Sequence, residues 1–228
     1  MPLPEAPPPQ AVDASALAPA LARLSEQLAL ASSQEQRDAL LRFVALLRRW
    51  NATYNLTAVR EPAQMLTQHI ADCLAVVPAL RRHLAGASGR RLLDVGSGGG
   101  LPGVVFAILQ PELAVTCVDT VGKKAAFVRQ AAVEIGLRNL SAEHSRVEKL
   151  LAPSFDLVVS RAFASLADFA ALTHPLLASN GVWLAMKGKH PGDEIAALPT
   201  SIDVFHVEPI TVPGMDAERC LVWMRPRV

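Results

Sequence analysis

The sequence predicts an α/β fold, a mostly parallel sheet with helices on both faces, preceded by a helical extension. Three observations carry the prediction. Beyond Gly89, short β-rich runs alternate with helical stretches, as they do when parallel strands are joined by crossover helices that cover both faces. The first of those runs opens into a glycine-rich loop, Gly96–Gly103, that enters a helix. From Ala14 to about Ala85, by contrast, apolar residues recur at helical spacing.

Met1 to Val12 holds five prolines and no packed pattern, so residues 1–13 are expected to form an extended, disordered tail. Ser32 with Glu35 reads as a capping box that opens a helix. Leu40, Phe43, Val44, Leu47 and Trp50 then recur at three- and four-residue spacing, until Asn51–Asn55 breaks the pattern. Pro62 suits the first turn of a further helix through Met65, His69, Asp72 and Leu74. The chain then changes texture at a Gly86–Gly89 hinge. Strands are predicted at Leu92–Val95, Val115–Asp119, Leu140–Glu143, Leu157–Ser160 and Val182–Met186. Helices fall between them at Val104–Leu109, Lys123–Ile135 and Leu166–Leu177. Ile202–Ile210 and Cys220–Met224 read as a closing β-hairpin.

Composition excludes several classes of function. With 228 residues and 51% hydrophobic content, the chain can bury a core without disulfides or metal. The longest apolar stretches, such as Val104–Leu109, are too short to cross a bilayer. A net charge of +1 means that any face for a polyanion is local. Cys73, Cys117 and Cys220 are odd in number and far apart, which suits neither a disulfide framework nor a zinc cluster. No signal peptide is visible at Met1–Glu5, and a reducing cytoplasm is the expected compartment.

The loop Asp94-Val95-Gly96-Ser97-Gly98-Gly99-Gly100-Leu101-Pro102-Gly103 narrows the ligand. It lacks the Gly-Lys-Ser/Thr ending of a triphosphate loop. Gly98, Gly100 and Gly103 satisfy the dinucleotide spacing, yet Asp94 would then stand beside a pyrophosphate. A carboxylate there suits a ligand with a positive end, such as the ammonium and sulfonium of S-adenosylmethionine. Asp119, 21 positions beyond Gly98, ends the next strand and is placed to accept both ribose hydroxyls. The open-sheet rule adds the residues after later strands: Arg146-Val147-Glu148, Arg161, and Lys187-Gly188-Lys189.

Absences bear on the acceptor. Ser160-Arg161-Ala162-Phe163 lacks the Pro-Pro-aromatic motif of exocyclic amine methylases. None of the cysteines is placed as a nucleophile in the crevice. An acceptor that is already nucleophilic remains, such as guanine N7, which carries no proton. A small-molecule methyltransferase and a non-catalytic RNA- or nucleotide-binding module stay open as alternatives.

Several motifs together carry a resemblance: Trp50-Asn51 with Asn55-Leu56-Thr57, His69-Ile70-Ala71-Asp72, the Asp94–Gly103 loop, Asp119 with Lys123-Lys124, Ser145-Arg146-Val147-Glu148 and Ser160–Leu166. From about Leu40 to Val228 the chain resembles the glucose-inhibited division protein B (RsmG) family of 16S ribosomal RNA guanine-N7 methyltransferases. Cys73 departs from it, standing where the family more often has serine. The resemblance implies a Rossmann-like methyltransferase core at residues 89–228 and a helical extension at 14–88, expected to form one compact unit. It implies S-adenosylmethionine contacts from Gly96, Leu101, Val147, Glu148 and Arg161, beside Gly98 and Asp119 of the loop reading. Arg161 is also assigned to catalysis. The implied target is guanine 527 of 16S RNA, as free RNA or in the 30S subunit. Asn55, Arg60 and His69 from the extension and Lys187 from the fifth strand are the expected RNA contacts. Neither a metal nor a membrane is expected, and the expected species is a monomer.

Overall fold

The computed structural model describes residues 14–85, 89–161, 163 and 165–227. The proline-rich tail, most of the Gly86–Gly89 hinge, Ala162 and Ala164 fall outside the described residues. A short 3₁₀ turn leads into α1 (Ala18–Gln27), and α2 (Gln34–Tyr54) comes next. The capping box lies one residue beyond the predicted pair. Ser33 Oγ accepts the Gln36 N–H at 3.2 Å, and Gln36 Oε1 accepts the Ser33 N–H at 3.0 Å. Ser32 is occupied otherwise, by the Arg37 guanidinium on its carbonyl and hydroxyl.

The helix also outlasts the predicted break. Asn51 is buried within it, and its side chain receives the Thr57 N–H at 2.8 Å while donating to the Val59 carbonyl at 2.9 Å. Spent on the loop after the helix, that amide does not compete with its own helix. The end comes at Asn55, whose φ of 49° is left-handed. Pro62 opens α3 (Pro62–Met65), as predicted, but a π-helical turn, Leu66–Ile70, separates it from α4 (Ala71–Leu74). Then α5 (Val77–Leu84) completes the extension.

The remainder forms β1 (Arg91–Val95), α6 (Gly103–Leu109), β2 (Ala114–Asp119), α7 (Gly122–Ile135), β3 (Leu140–His144) and β4 (Phe155–Ser160). After them come α8 (Leu166–Thr173), β5 (Leu177–Lys187), α9 (Gly192–Ala196), β6 (Ile202–Pro209) and β7 (Cys220–Pro226). The sheet order is β3-β2-β1-β4-β5-β7-β6. The first five strands run parallel, and β7 lies antiparallel to both β5 and β6. The predicted strands and hairpin are therefore present, with β5 starting earlier than expected.

Alternation along each strand divides the core in two. Leu92, Val115, Leu157 and Leu184 point to the face covered by α2, α6 and α7, while Leu93, Val118, Val158 and Trp183 point to the face covered by α8. The extension joins the first of these cores rather than forming its own. Phe43 and Trp50 of α2 meet Phe127 of α7 at ring separations of 6.0 and 5.6 Å. No helix among the described residues is long and apolar enough to cross a membrane.

Candidate cofactor and acceptor site

The strand order reverses direction at β1, which lies between β2 and β4. At such a switch point the connections leave in opposite directions, opening a crevice at the carboxyl ends of the strands. The glycine loop spans this crevice. Its start is tied to β2, with Gly96 N and Ser97 N donating to the Val118 carbonyl at 2.9 and 3.2 Å. Gly96 and Gly98 take φ of 68° and 57°. A Cβ on Gly96 would meet nothing within 4 Å, and one on Gly98 only the Gly96 carbonyl at 4.0 Å. The backbone there is a bare shelf, accessible to a ligand at close range. Gly103 is a glycine for the opposite reason: its Cβ would stand 2.5 Å from Cys117 Sγ and 2.8 Å from Asp94 Oδ2.

Asp94 differs from its predicted role as the charged partner of the ligand. It is fully buried, and its Oδ2 accepts the Gly103 N–H at 2.8 Å, pinning the start of α6 to β1. Its Oδ1 has no hydrogen-bond partner among the described residues. Burial pushes the carboxyl up to about 7, against the lowering effect of the Gly103 N–H and of Arg161. Asp94 therefore anchors the loop, and the charge argument against a dinucleotide loses its support.

Asp119 stands beside the shelf. One carboxylate oxygen accepts the Gly98 N–H at 2.9 Å, and the other accepts the Val121 N–H at 2.8 Å. Each oxygen retains acceptor capacity for a hydroxyl. Leu101 is buried at the turn into α6. After β3, a 3₁₀ turn buries Val147 and leaves Glu148 on the surface, 3.9 Å from Arg146. A bare backbone shelf, a carboxylate with free lone pairs and an apolar wall fit an adenosine ligand such as S-adenosylmethionine. Among the described residues, no three metal-ligating side chains are grouped to hold a metal ion.

A second cluster, which sequence reasoning did not find, lies at the end of β4. Asp72 of α4 is buried, and its Oδ1 accepts from Arg219 Nε at 2.8 Å. Its Oδ2 lies 3.5 Å from Arg161 Nη1 at the end of β4. One carboxylate thus joins the extension, the crevice and the segment before β7. His69 does not pair with Asp72. Its Nε2 is 2.7 Å from Thr57 Oγ1, and burial, then the Arg161 charge, lowers its pKa. Asn55 caps α2, and Arg60 is exposed without a hydrogen bond or ion pair among the described residues. Lys187 is engaged by Glu194 at 2.8 and 3.0 Å, which offsets its charge. No signal in the sequence pointed to Arg219, 147 positions from Asp72.

A family model described as "GidB: rRNA small subunit methyltransferase G" matches residues 36–222. The "Ribosomal RNA small subunit methyltransferase G" of Acidovorax sp. (strain JS42) is 60% identical over 214 residues, or 91% of this chain and 94% of that protein. The protein of the same name from Methylibium petroleiphilum is 59% identical over 212 residues, or 93% of this chain and 96% of that protein. Solved structures share the fold at much lower identity. TrmN from Thermus thermophilus superposes with a TM-score of 0.54 at 20% identity, covering 71% of this chain and 53% of that one. A SAM-dependent methyltransferase from Aquifex aeolicus gives 0.52 at 14% identity, covering 71% and 92%. With the family model spanning most of its length and relatives near three-fifths identity, the chain belongs to the GidB family, the rRNA small subunit methyltransferases G.

Proposed function

We propose that this chain transfers the methyl group of S-adenosylmethionine to N7 of one guanine, position 527, in the 16S RNA of the small ribosomal subunit. The observation that carries the reading is the bare glycine shelf at the switch point, with Asp119 beside it and Arg161 directly after β4. Membership of the family and the names of its close relatives supply the class of acceptor.

When bound, S-adenosylmethionine supplies an electrophilic methyl group on a cationic sulfur. Gly96 and Gly98 accept its close approach, Asp119 receives its ribose hydroxyls, and Leu101, Val147 and Glu148 frame the rest. Guanine N7 presents a lone pair and no proton, so no side chain has to act as a base. The protein's task is then to hold donor and acceptor in line, and orientation alone accounts for a large share of such barriers. Arg161 orients the reacting groups from the end of β4. Its charge would disfavour a cationic ligand nearby, and Asp72 at 3.5 Å, shared with Arg219, offsets part of it. A neutral His69 adds no second positive charge. Because N7 would have no proton to lose, none of these side chains has to change protonation.

The test is methyl transfer from labelled S-adenosylmethionine to 30S subunits and to naked 16S RNA, both from cells lacking the gene. Mass spectrometry of the nucleosides is expected to find 7-methylguanosine at one site. Arg161→Ala is expected to lower kcat about a hundredfold, as misorientation does, with the fold intact. An unlabelled RNA, with S-adenosylmethionine still bound, overturns the assignment of the acceptor.

A further inference from the structure

The connection from β4 to α8 carries Arg161 as its first residue. Both of its ends are held. Ser160, which closes β4, donates Oγ to the Val95 carbonyl at 3.0 Å and so ties β4 to β1 where the glycine loop begins. At the far end Ser165 caps α8, its Oγ accepting the Asp168 N–H at 3.0 Å. In between, the Phe163 ring rests on Phe169 of α8 at a separation of 5.4 Å.

A carboxylate from elsewhere in the chain braces this connection. Glu194 of α9 accepts the Leu166 N–H on Oε2 at 2.9 Å. Its two oxygens also accept from Lys187 Nζ, at the end of β5, at 2.8 and 3.0 Å. The same ammonium lies 3.4 Å from the Phe163 carbonyl. Lysine has three donors, and these contacts occupy them with groups of the protein itself. The Lys187 side chain is only 14% exposed, and Glu194 matches its charge, so the pair offers no surplus cation to RNA. The Leu166 N–H is one that a helix start leaves without an intrahelical partner, and a carboxylate is favourable there. None of the residues of α9 is buried, so its contribution to the core is small. What α9 presents to its surroundings is Glu194.

We propose that Glu194 is a positioning residue for methyl transfer: with Lys187 it clamps the connection after β4 and thereby fixes where Arg161 stands in the crevice. Asp72 restrains the guanidinium end of Arg161 at 3.5 Å, and the brace restrains the backbone that follows it. A functional side chain carried on a loop needs such support, because loops hold geometry less closely than strands do. Misplacement by an ångström costs about a hundredfold in rate. The proposal rests on the reading of Arg161 as the residue that orients the reacting groups.

Full-length Glu194→Ala and Glu194→Gln, each with and without Arg161→Ala, test it. The measurements are steady-state methylation of 30S subunits and calorimetric titration with S-adenosylmethionine. Glu194→Ala is expected to lower kcat about tenfold, part of the cost of misorientation. Its KM for 30S subunits and its affinity for S-adenosylmethionine are expected to stay near wild type. Glu194→Gln keeps an acceptor for the Leu166 N–H and loses the charge facing Lys187, so a smaller drop in kcat is expected. If Glu194→Ala fails to fold, Glu194→Gln carries the comparison. In the Arg161→Ala background neither change is expected to lower kcat further, since residues that act through one another are not additive. Wild-type kcat in the Glu194 variants overturns the proposal. An equal loss with and without Arg161 also overturns it, because Glu194 then acts through stability or another group. A shift in KM for 30S subunits at constant kcat does the same, by making the released Lys187 an RNA contact. Arg161→Ala with wild-type kcat, or a wild-type protein that methylates no RNA, overturns the underlying reading instead.

Discussion

Asp94 illustrates how burial decides what a carboxylate does. Its neutral form is favoured in the folded chain, because burial pushes its pKa up to about 7 from an ordinary value of 3.8. Between those two values the unfolded chain has released the proton and the folded chain has kept it, so stability falls as pH rises through that window. Above about pH 7 the loss is complete. Asp94→Asn keeps an oxygen for the Gly103 N–H and removes the titration. Urea unfolding at pH 5 and pH 8 is therefore expected to show wild type losing stability relative to the variant on going to the higher pH. Equal differences at both values would contradict it. The sequence places Asp94 at the right end of the right strand, and the loop beside it was legible from its glycines. Its direction was misjudged, since strand alternation puts Asp94 on the same face as Leu92, beneath α6. The positions of Gly96, Gly98 and Asp119 at the carboxyl ends of β1 and β2 were legible, because the strand–loop–helix pattern fixes where those strands end.

The elements show where local signals suffice and where they do not. The α2 cap at Ser33 is an exposed, reciprocal pair of hydrogen bonds with Gln36. Ser33→Ala is expected to cost about 1 kcal/mol of stability, measured by chemical denaturation, with methyl transfer unaffected. The expected cap was one residue early because Ser32-Ser33 with Glu35-Gln36 offers the motif in two registers. Only tertiary contact chooses between them, through Gln36 Nε2 donating to the Ile108 carbonyl at 3.1 Å. The π-helical turn at Leu66–Ile70 was not legible, because apolar spacing does not mark an inserted residue. One extra residue rotates the next turns of helix by about 100°. Around that turn His69 meets Thr57, and Asp72 meets two arginines.

At the scale of the whole molecule, extension and sheet share one core, and Asp72 is the polar joint between them. Removing it leaves two guanidinium groups facing each other without their carboxylate. Asp72→Ala is expected to destabilise the protein by about 3 kcal/mol, and a single unfolding transition is expected, since Phe43, Trp50 and Phe127 bind the halves together. Two separate transitions in denaturant would contradict this joint. The alternation of strands and helices made the parallel half legible, but contacts spanning more than a hundred positions have no local trace. The placement of β7 between β5 and β6 has a consequence during synthesis. When β6 has left the ribosome, the outer edge of β5 is still unpaired, because its neighbour is the strand made afterwards. A long, apolar edge in that condition is a template for wrong pairing. The nascent chain therefore passes through an interval in which Leu177–Lys187 is exposed to aggregation, and it closes only as Cys220–Pro226 emerges.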